Sequence, residues 1–339
     1  MRVLPALIWI LGLGICATAA GYDWPQFRGP GGQGHSEVTG LPLTWSETEN
    51  VAWKTAVEGC GWSSPVVLGR QVWMTTAVPT LATADETQRH LAGLPYAVPS
   101  PEVARSITLK AVCLDRDTGQ LVRSVTLFEI DEPLQICSTN SYASPTPVAE
   151  TGRIYCDFGT MGTACLDTAS GEILWKRQLV VDHQVGPGSS PILHGDKLLL
   201  VRDGCDLQYV AALNKNTGET IWKTDRPAIA TDYTPYKKAF STPLVLHAGG
   251  TEQMIVPGAQ WIVSYRPDSG EPIWQADTGP SFSNAARPVF GHGMVFVCTA
   301  FGQSMLLAVR VDGRGDVTDT HVAWTDKKQV PKRSSPILV

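Results

Sequence analysis

The stretch Asp167-Thr168-Ala169-Ser170-Gly171-Glu172, with an indole four residues past its glycine at Trp175, decides how this chain folds. It returns as Asn214-Lys215-Asn216-Thr217-Gly218-Glu219 with Trp222, and as Pro267-Asp268-Ser269-Gly270-Glu271 with Trp274. A variant, Asp115-Arg116-Asp117-Thr118-Gly119-Gln120, has Arg123 in the tryptophan's place. A stretched version over 312–315 reaches Trp324, and Trp53 stands alone near the start. Asp and Asn side chains bond a turn's own backbone, and glycine supplies the positive φ that closes a tight hairpin. Each copy therefore reads as a hairpin followed by an outer strand that carries an aromatic wedge against the neighbouring sheet.

A second signature alternates with the first: Ser64-Pro65-Val66, Thr146-Pro147-Val148, Ser190-Pro191-Ile192, Thr242-Pro243-Leu244, Arg287-Pro288-Val289 and Ser335-Pro336-Ile337. Its prolines lie 82, 44, 52, 45 and 48 residues apart, so the first interval carries an insertion, at about 78–106. Proline is tolerated at a strand that owes no donor to a ladder. Between the signatures lie β-rich pairs, 197–202 with 208–213 and 293–299 with 305–311. Each unit thus holds four strands. Four-stranded units of about 40–50 residues make an all-β fold, a β-propeller. Five blades are readable at about 60–128, 140–181, 186–225, 238–278 and 284–327, with partial strands at 51–57 and 332–339. Open sheet edges are avoided in folded proteins, so the reading expects a truncated seven- or eight-bladed ring occupying residues 21–339.

Composition narrows the function. The chain has 339 residues, 43% hydrophobic and 17% charged, with 27 Lys plus Arg against 32 Asp plus Glu. That balance advertises no basic surface, which argues against nucleic acid or an anionic membrane as main partner. Arg2, the apolar run 3–15 and the small residues before Gly21 form a secretory signal pattern over 1–20, with cleavage after Ala19 or Ala20. A lipid anchor on Cys16 is disfavoured by the large Ile15 before it; an uncleaved anchor is the other alternative. Removing the leader leaves seven cysteines, an odd number that guarantees a free thiol. Cys156 and Cys165 flank the turn Gly159-Thr160-Met161-Gly162, which suggests a cross-strand disulfide.

The repeat pattern, best seen in 164–175 and 212–222, resembles that of the PQQ-like (pyrroloquinoline-quinone-like) repeat propellers, particularly exported planctomycete-type proteins similar to BamB. The opening Asp23-Trp24-Pro25-Gln26-Phe27-Arg28-Gly29-Pro30 is similar to the start of such proteins. The resemblance spans nearly the whole mature chain and implies a fold more firmly than an activity. It implies two functions. One is a non-catalytic periplasmic or otherwise extracytoplasmic scaffold that binds a protein or cell-envelope component through its loop faces, as in outer-membrane assembly. The other is a quinone-dependent alcohol or sugar dehydrogenase, which would hold PQQ with Ca²⁺ on the ring axis, use an Asp as base and in many cases add a disulfide between adjacent cysteines. This sequence has no adjacent cysteine pair and no spacing that gathers oxygen ligands for a hard cation. The reading therefore assigns no catalytic residue, cofactor or metal, and keeps PQQ with Ca²⁺ for the dehydrogenase alternative alone.

Other motifs fail on context. Gly29 to Gly34 matches G-x-G-x-x-G, but no strand precedes it and Pro30 interrupts it. Arg314-Gly315-Asp316 falls at a repeat turn, and the neighbouring Asp312 and Asp319 read as a solvated loop. The seven histidines show no metal spacing. Within the insertion, 85–94 is expected to form a short helix between prolines, and the insertion is a partner-site candidate because loop insertions build binding surfaces. Asn140, Tyr142, Arg202, Asp203, Tyr233, Lys237 and Trp261, polar and aromatic residues of inter-strand loops, form the candidate partner-binding set.

Overall fold

The computed structural model of the protein describes residues 23–92, 103–328 and 330–339; the leader and residues 93–102 of the insertion lie outside them. The chain is a β-propeller whose five blades follow one another in sequence. The first contains β1 (Val66–Leu68), β2 (Gln71–Leu81), β3 (Ala104–Asp115) and β4 (Leu121–Asp131). The second contains β5 (Val148–Glu150), β6 (Arg153–Asp157), β7 (Thr163–Asp167) and β8 (Ile173–Arg177). The third contains β9 (Ile192–His194), β10 (Lys197–Asp203), β11 (Gln208–Asn214) and β12 (Thr220–Asp225). The fourth contains β13 (Leu244–Ala248), β14 (Thr251–Pro257), β15 (Trp261–Tyr265) and β16 (Pro272–Asp277). The fifth contains β17 (Val289–Gly291), β18 (Met294–Cys298), β19 (Leu306–Arg310) and β21 (Val322–Asp326); the intervening β20 (Gly315–Asp316) pairs in parallel with β16 instead. Strands within each blade are antiparallel neighbours.

Both repeat signatures act between blades. The Asp-rich turns close on glycines in the left-handed region, with φ of 70°, 80°, 73° and 74° at Gly119, Gly171, Gly218 and Gly270. Trp175 of the second blade lies over Gly218 of the third and donates from Nε1 to the Lys215 carbonyl at 2.9 Å. Trp222 repeats this on the fourth blade, over Gly270 and onto the Pro267 carbonyl at 3.1 Å. Trp53 does the same on the first, over Gly119 and onto Arg116 at 2.8 Å. Two residues after the wedge, Thr55, Arg177 and Thr224 each donate to the carbonyl of the same glycine. Arg123 reproduces the wedge without an indole: its guanidinium donates to the Ser170 and Ala169 carbonyls of the second blade.

Two wedges depart from the pattern. Trp274 is fully buried between the fourth and fifth blades but donates to Gln253 Oε1 of its own blade, because β20 occupies the site where a tight turn would stand. Trp324 is half-exposed and leans on Phe296 of its own blade.

The residue before each proline makes a second chain of contacts. The amide of Ser64 donates to Thr146 Oγ1, that of Thr146 to Ser190 Oγ, that of Ser190 to Thr242 Oγ1, and that of Arg287 to Ser335 Oγ, all at 2.9–3.0 Å. Only the link onto Arg287, which has no hydroxyl, is missing. A hydroxyl just before proline thus ties the innermost strands of the first four blades in series and the fifth to the segment 332–339. Segments 51–57 and 332–339 join no sheet ladder, yet they carry Trp53 and Ser335 into these two series.

The N-terminal segment crosses between inner strands. Trp24 pairs with Val67 on β1, the Pro25 carbonyl accepts from Ala149 on β5, the Phe27 carbonyl accepts from Arg287, and Gln33 Oε1 accepts from Phe290 on β17. The glycines of the G-x-G-x-x-G match serve this path, and Gly32 lies directly against the Arg287 guanidinium.

The suggested disulfide is overturned by register. Cys165 stands opposite Tyr155 and Cys156 opposite Ala164, so the two thiols are one position out of phase. Successive side chains point to opposite faces of a sheet. Cys156 accordingly enters the core shared with the first blade and Cys165 the core shared with the third, and both are free. The insertion extends β2 and β3 well past their counterparts and places α1 (Ala84–Ala92) beyond them. Among the described residues no helix is long and apolar enough to cross a membrane.

Candidate functional site

Antiparallel alternation sends the connections between blades, and those between each blade's second and third strands, to one end of every sheet. The Asp-rich turns lie at the other end. On the first end opens a cavity of about 540 Å³, a funnel to which all five blades contribute. Its hydroxyls include the pre-proline Thr146, Ser190 and Thr242, already engaged in the inner-strand chain. Its rings are Phe27 from the crossing segment, Trp62, Phe240, Phe282 and Phe301. Its charged groups are Lys238 and Arg333. Lys238 is buried, and burial lowers its pKa while Nζ donates to the Pro235 carbonyl at 2.6 Å. Trp62 is 56% exposed at the rim.

Four rings descend from the rim toward the funnel. Tyr233, 58% exposed, meets Tyr236 edge-on at 4.7 Å between centroids, and Tyr236 stacks on Phe282 at 4.1 Å. Phe282 leans on Phe301 at 5.9 Å, and the Lys332 ammonium and Arg333 guanidinium lie over Phe301 at 5.6 and 5.8 Å. The series is an aromatic surface with a phenol at one end and two cations at the other.

The predicted set divides between surface and interior. Tyr233 heads the aromatic series, and Lys237 follows it, its amide donating to the Thr234 carbonyl. Asn140 lines the funnel, but both its ends are committed: Nδ2 donates to Val185 and Pro187 carbonyls, and Oδ1 accepts from Ser141 and Ser144. Tyr142 is buried with its hydroxyl on the Leu134 carbonyl, and burial pushes its pKa up to about 12. Trp261 is half-buried and holds the Ala228 carbonyl at 2.9 Å.

Arg202 and Asp203 lie inside. Arg202 spans two blades to Asp157 at 2.6 Å, where Thr163 completes the group. Asp203 sits 3.3 Å from Arg226 with neither carboxylate oxygen hydrogen-bonded, and burial raises its pKa to about 6 despite that cation. The signals that pattern reading missed are Trp62, Phe282 and Phe301: single aromatics in irregular loops, gathered only by the blades' radial arrangement.

Other motifs resolve as structure. Gly315 and Asp316 form β20, and Asp316 accepts from the Thr318 amide and hydroxyl. Asp312 pairs with His321 at 3.6 Å. His194 of the third blade meets Glu252 and Asp268 of the fourth at 3.4 and 3.8 Å, a grouping invisible to local spacing. The Lys197 ammonium already takes Asp268 at 3.1 Å, which makes this an ion-pair network between blades.

A calcium–quinone pair requires several converging oxygen ligands and a carboxylate base. The residues lining the funnel offer two cations and no carboxylate, and the Asn140 oxygen is already engaged. These residues do not fit that cofactor pair.

Structural comparison places the chain beside a quinohemoprotein alcohol dehydrogenase from Comamonas testosteroni, at a TM-score of 0.55 and 12% identity, over 95% of this chain and 53% of that one. At that identity the likeness shows the shared fold, and the chain spans about half the length of that enzyme. BamB from Moraxella catarrhalis is similar at 13% identity and a TM-score of 0.36, over 69% of this chain and 74% of that one. No curated protein matches the sequence. The family described as outer membrane protein assembly factor BamB matches residues 108–335, from β3 to the last pre-proline serine, and with two thirds of its length so matched the chain belongs to that family of PQQ-like repeat propellers.

Proposed function

We propose that the protein is a non-catalytic, extracytoplasmic β-propeller that holds a protein or cell-envelope partner at the funnel end of its blades. The observation that carries this reading is the composition of the funnel: exposed rings at the rim, a stacked aromatic series leading inward, two cations and no carboxylate. Such a surface suits an extended segment that brings apolar side chains and a carboxylate. Exposed aromatic residues that pack into a partner dominate binding energies of this kind. Membership of the family of the outer membrane protein assembly factor BamB supports an envelope partner.

The test is site-specific photo-crosslinking in envelope extracts, with the probe at Trp62 or Tyr233 and a control probe at Trp324 on the outer edge. One discrete product from both rim positions and none from Trp324 is expected. Equal labelling at all three, or dye-linked oxidation of alcohols or sugars once PQQ and Ca²⁺ are added, would overturn the proposal.

A further inference from the structure

The described cysteines divide sharply. Cys113, Cys156, Cys165, Cys205 and Cys298 are buried, and burial raises every one of their thiols, to about 11 for Cys113 and Cys298 and about 12 for Cys165 and Cys205. Only Cys60 and Cys137 reach solvent, and both line the same cavity of about 240 Å³ between the first and second blades. Residues 77 sequence positions apart have no local reason to share a cavity, so the propeller's curvature brings them together.

We propose that Cys137 and Cys60 form a thiol–disulfide exchange site in this cavity, with small uncharged disulfides as its substrates.

The surroundings of each cysteine assign its role. Cys137 sits on the wall shared with the funnel, its amide held by the Val185 carbonyl at 3.3 Å and its Sγ 3.3 Å from the Thr139 hydroxyl. Partial burial pushes this thiol up, but hydrogen bonds from the Thr139 hydroxyl and backbone, the Arg333 charge and Ser138 outweigh it and leave the thiol below its ordinary value. The thiolate is the attacking species, so Cys137 is the nucleophile. Cys60 is held differently, in a two-way backbone bridge with Ala77 at the extended end of β2. Ala77, Pro79, Leu81, Ala104 and Ile136 make one side of the wall apolar, Ser138, Asn140, Ser141 and Tyr142 complete it, and no charged side chain lines it, which favours an uncharged substrate over a charged one. The long β2–β3 hairpin that the insertion creates therefore supplies one side of the site.

The exchange balances in two steps. The Cys137 thiolate attacks one sulfur of R–S–S–R; that bond breaks, and RS⁻ leaves with the electron pair and takes a proton from water. Cys60 then loses its proton and attacks Cys137 Sγ in the mixed disulfide, expelling the second RS⁻. The cysteine pair is oxidised by two electrons to a Cys60–Cys137 disulfide, and one external disulfide is reduced to two thiols.

The test uses the reduced full-length chain, 2-hydroxyethyl disulfide as probe, an acid quench, and peptide mass spectrometry after alkylation. The wild type should lose the mass of two hydrogens in a Cys60–Cys137 cross-link and retain no adduct. Cys60→Ser should hold a stable mercaptoethanol adduct on Cys137. In Cys137→Ser the initial adduct at Cys60 should form more slowly than the adduct at Cys137 forms in Cys60→Ser. Arg333→Gln, on an exposed side chain, should move the pH midpoint of Cys137 labelling upward. Cys→Ala versions of both cysteine variants, with unchanged thermal midpoints, guard against misfolding. Adducts retained on both cysteines of the wild type, equal rates in the two single variants, or an Arg333→Gln profile that does not move would each overturn the proposal.

Discussion

Replacing Trp175 and its partner glycine, singly and together, tests the contact on which the fold rests. The Trp175 indole is buried over Gly218 of the next blade, and Nε1 donates to the Lys215 carbonyl. Trp175→Ala removes a packed indole, a loss of about 3–5 kcal/mol. Trp175→Phe keeps most of the packing and forfeits the hydrogen bond, about 1 kcal/mol. Gly218→Ala adds a Cβ that meets the indole at 2.7 Å, at a backbone φ of +73°. Left-handed backbone costs about 1–2 kcal/mol for alanine, and overpacking adds about 1–3. The overpacking part vanishes once the indole is gone, so the double variant should be more stable than the sum of single losses predicts, by about 1–3 kcal/mol. Urea unfolding followed by far-ultraviolet circular dichroism measures this, provided the slopes match. Single losses that add within about 0.5 kcal/mol would show that the indole and turn do not share a contact, and the blade-to-blade wedge would be refuted.

Further consequences follow from the same geometry. Asp157→Asn leaves the buried Arg202 guanidinium without its counter-charge and should cost about 3–5 kcal/mol by chemical denaturation. Asp203 holds its proton more tightly folded than unfolded, so its contribution is complete below pH 3.8 and is lost as pH rises through about 6. That rise corresponds to about 3 kcal/mol, and Asp203→Asn should flatten the wild type's decline between about pH 4 and about pH 7 by a similar amount. Arg123→Trp, which restores the repeat's own wedge, should be tolerated within about 1 kcal/mol, whereas Arg123→Ala should lose more through its two carbonyl contacts, as thermal midpoints would report. Trp62→Ala, at an exposed rim position, should change stability by less than about 0.5 kcal/mol yet weaken partner binding about thirtyfold, by about 2 kcal/mol, in a titration against the crosslinked partner.

The sequence by itself determined the blades. A hairpin turn is written in adjacent residues, Asp167 bonding the amides of Ala169 and Ser170 while Gly171 takes the left-handed backbone, and so it is legible without coordinates. The wedge was legible as spacing, since Trp53, Trp175 and Trp222 meet the next turn in the same way, and even Arg123 fell in the indole's place. Tertiary structure decided whatever depends on phase or on distance across the ring. Register, not symmetry about a turn, put Cys156 and Cys165 on opposite faces. Burial turned Arg202 and Asp203 from candidate binding residues into ion-pair partners, Arg202 to Asp157 of the second blade and Asp203 to Arg226 at the end of its own. The rings and cations of the funnel, like Cys60 and Cys137, are single residues from segments with no repeated text. Local hydrogen bonding fixes a strand and its turn within a few residues, whereas a site on a propeller's axis is assembled by the angle between blades, which no short stretch of sequence records.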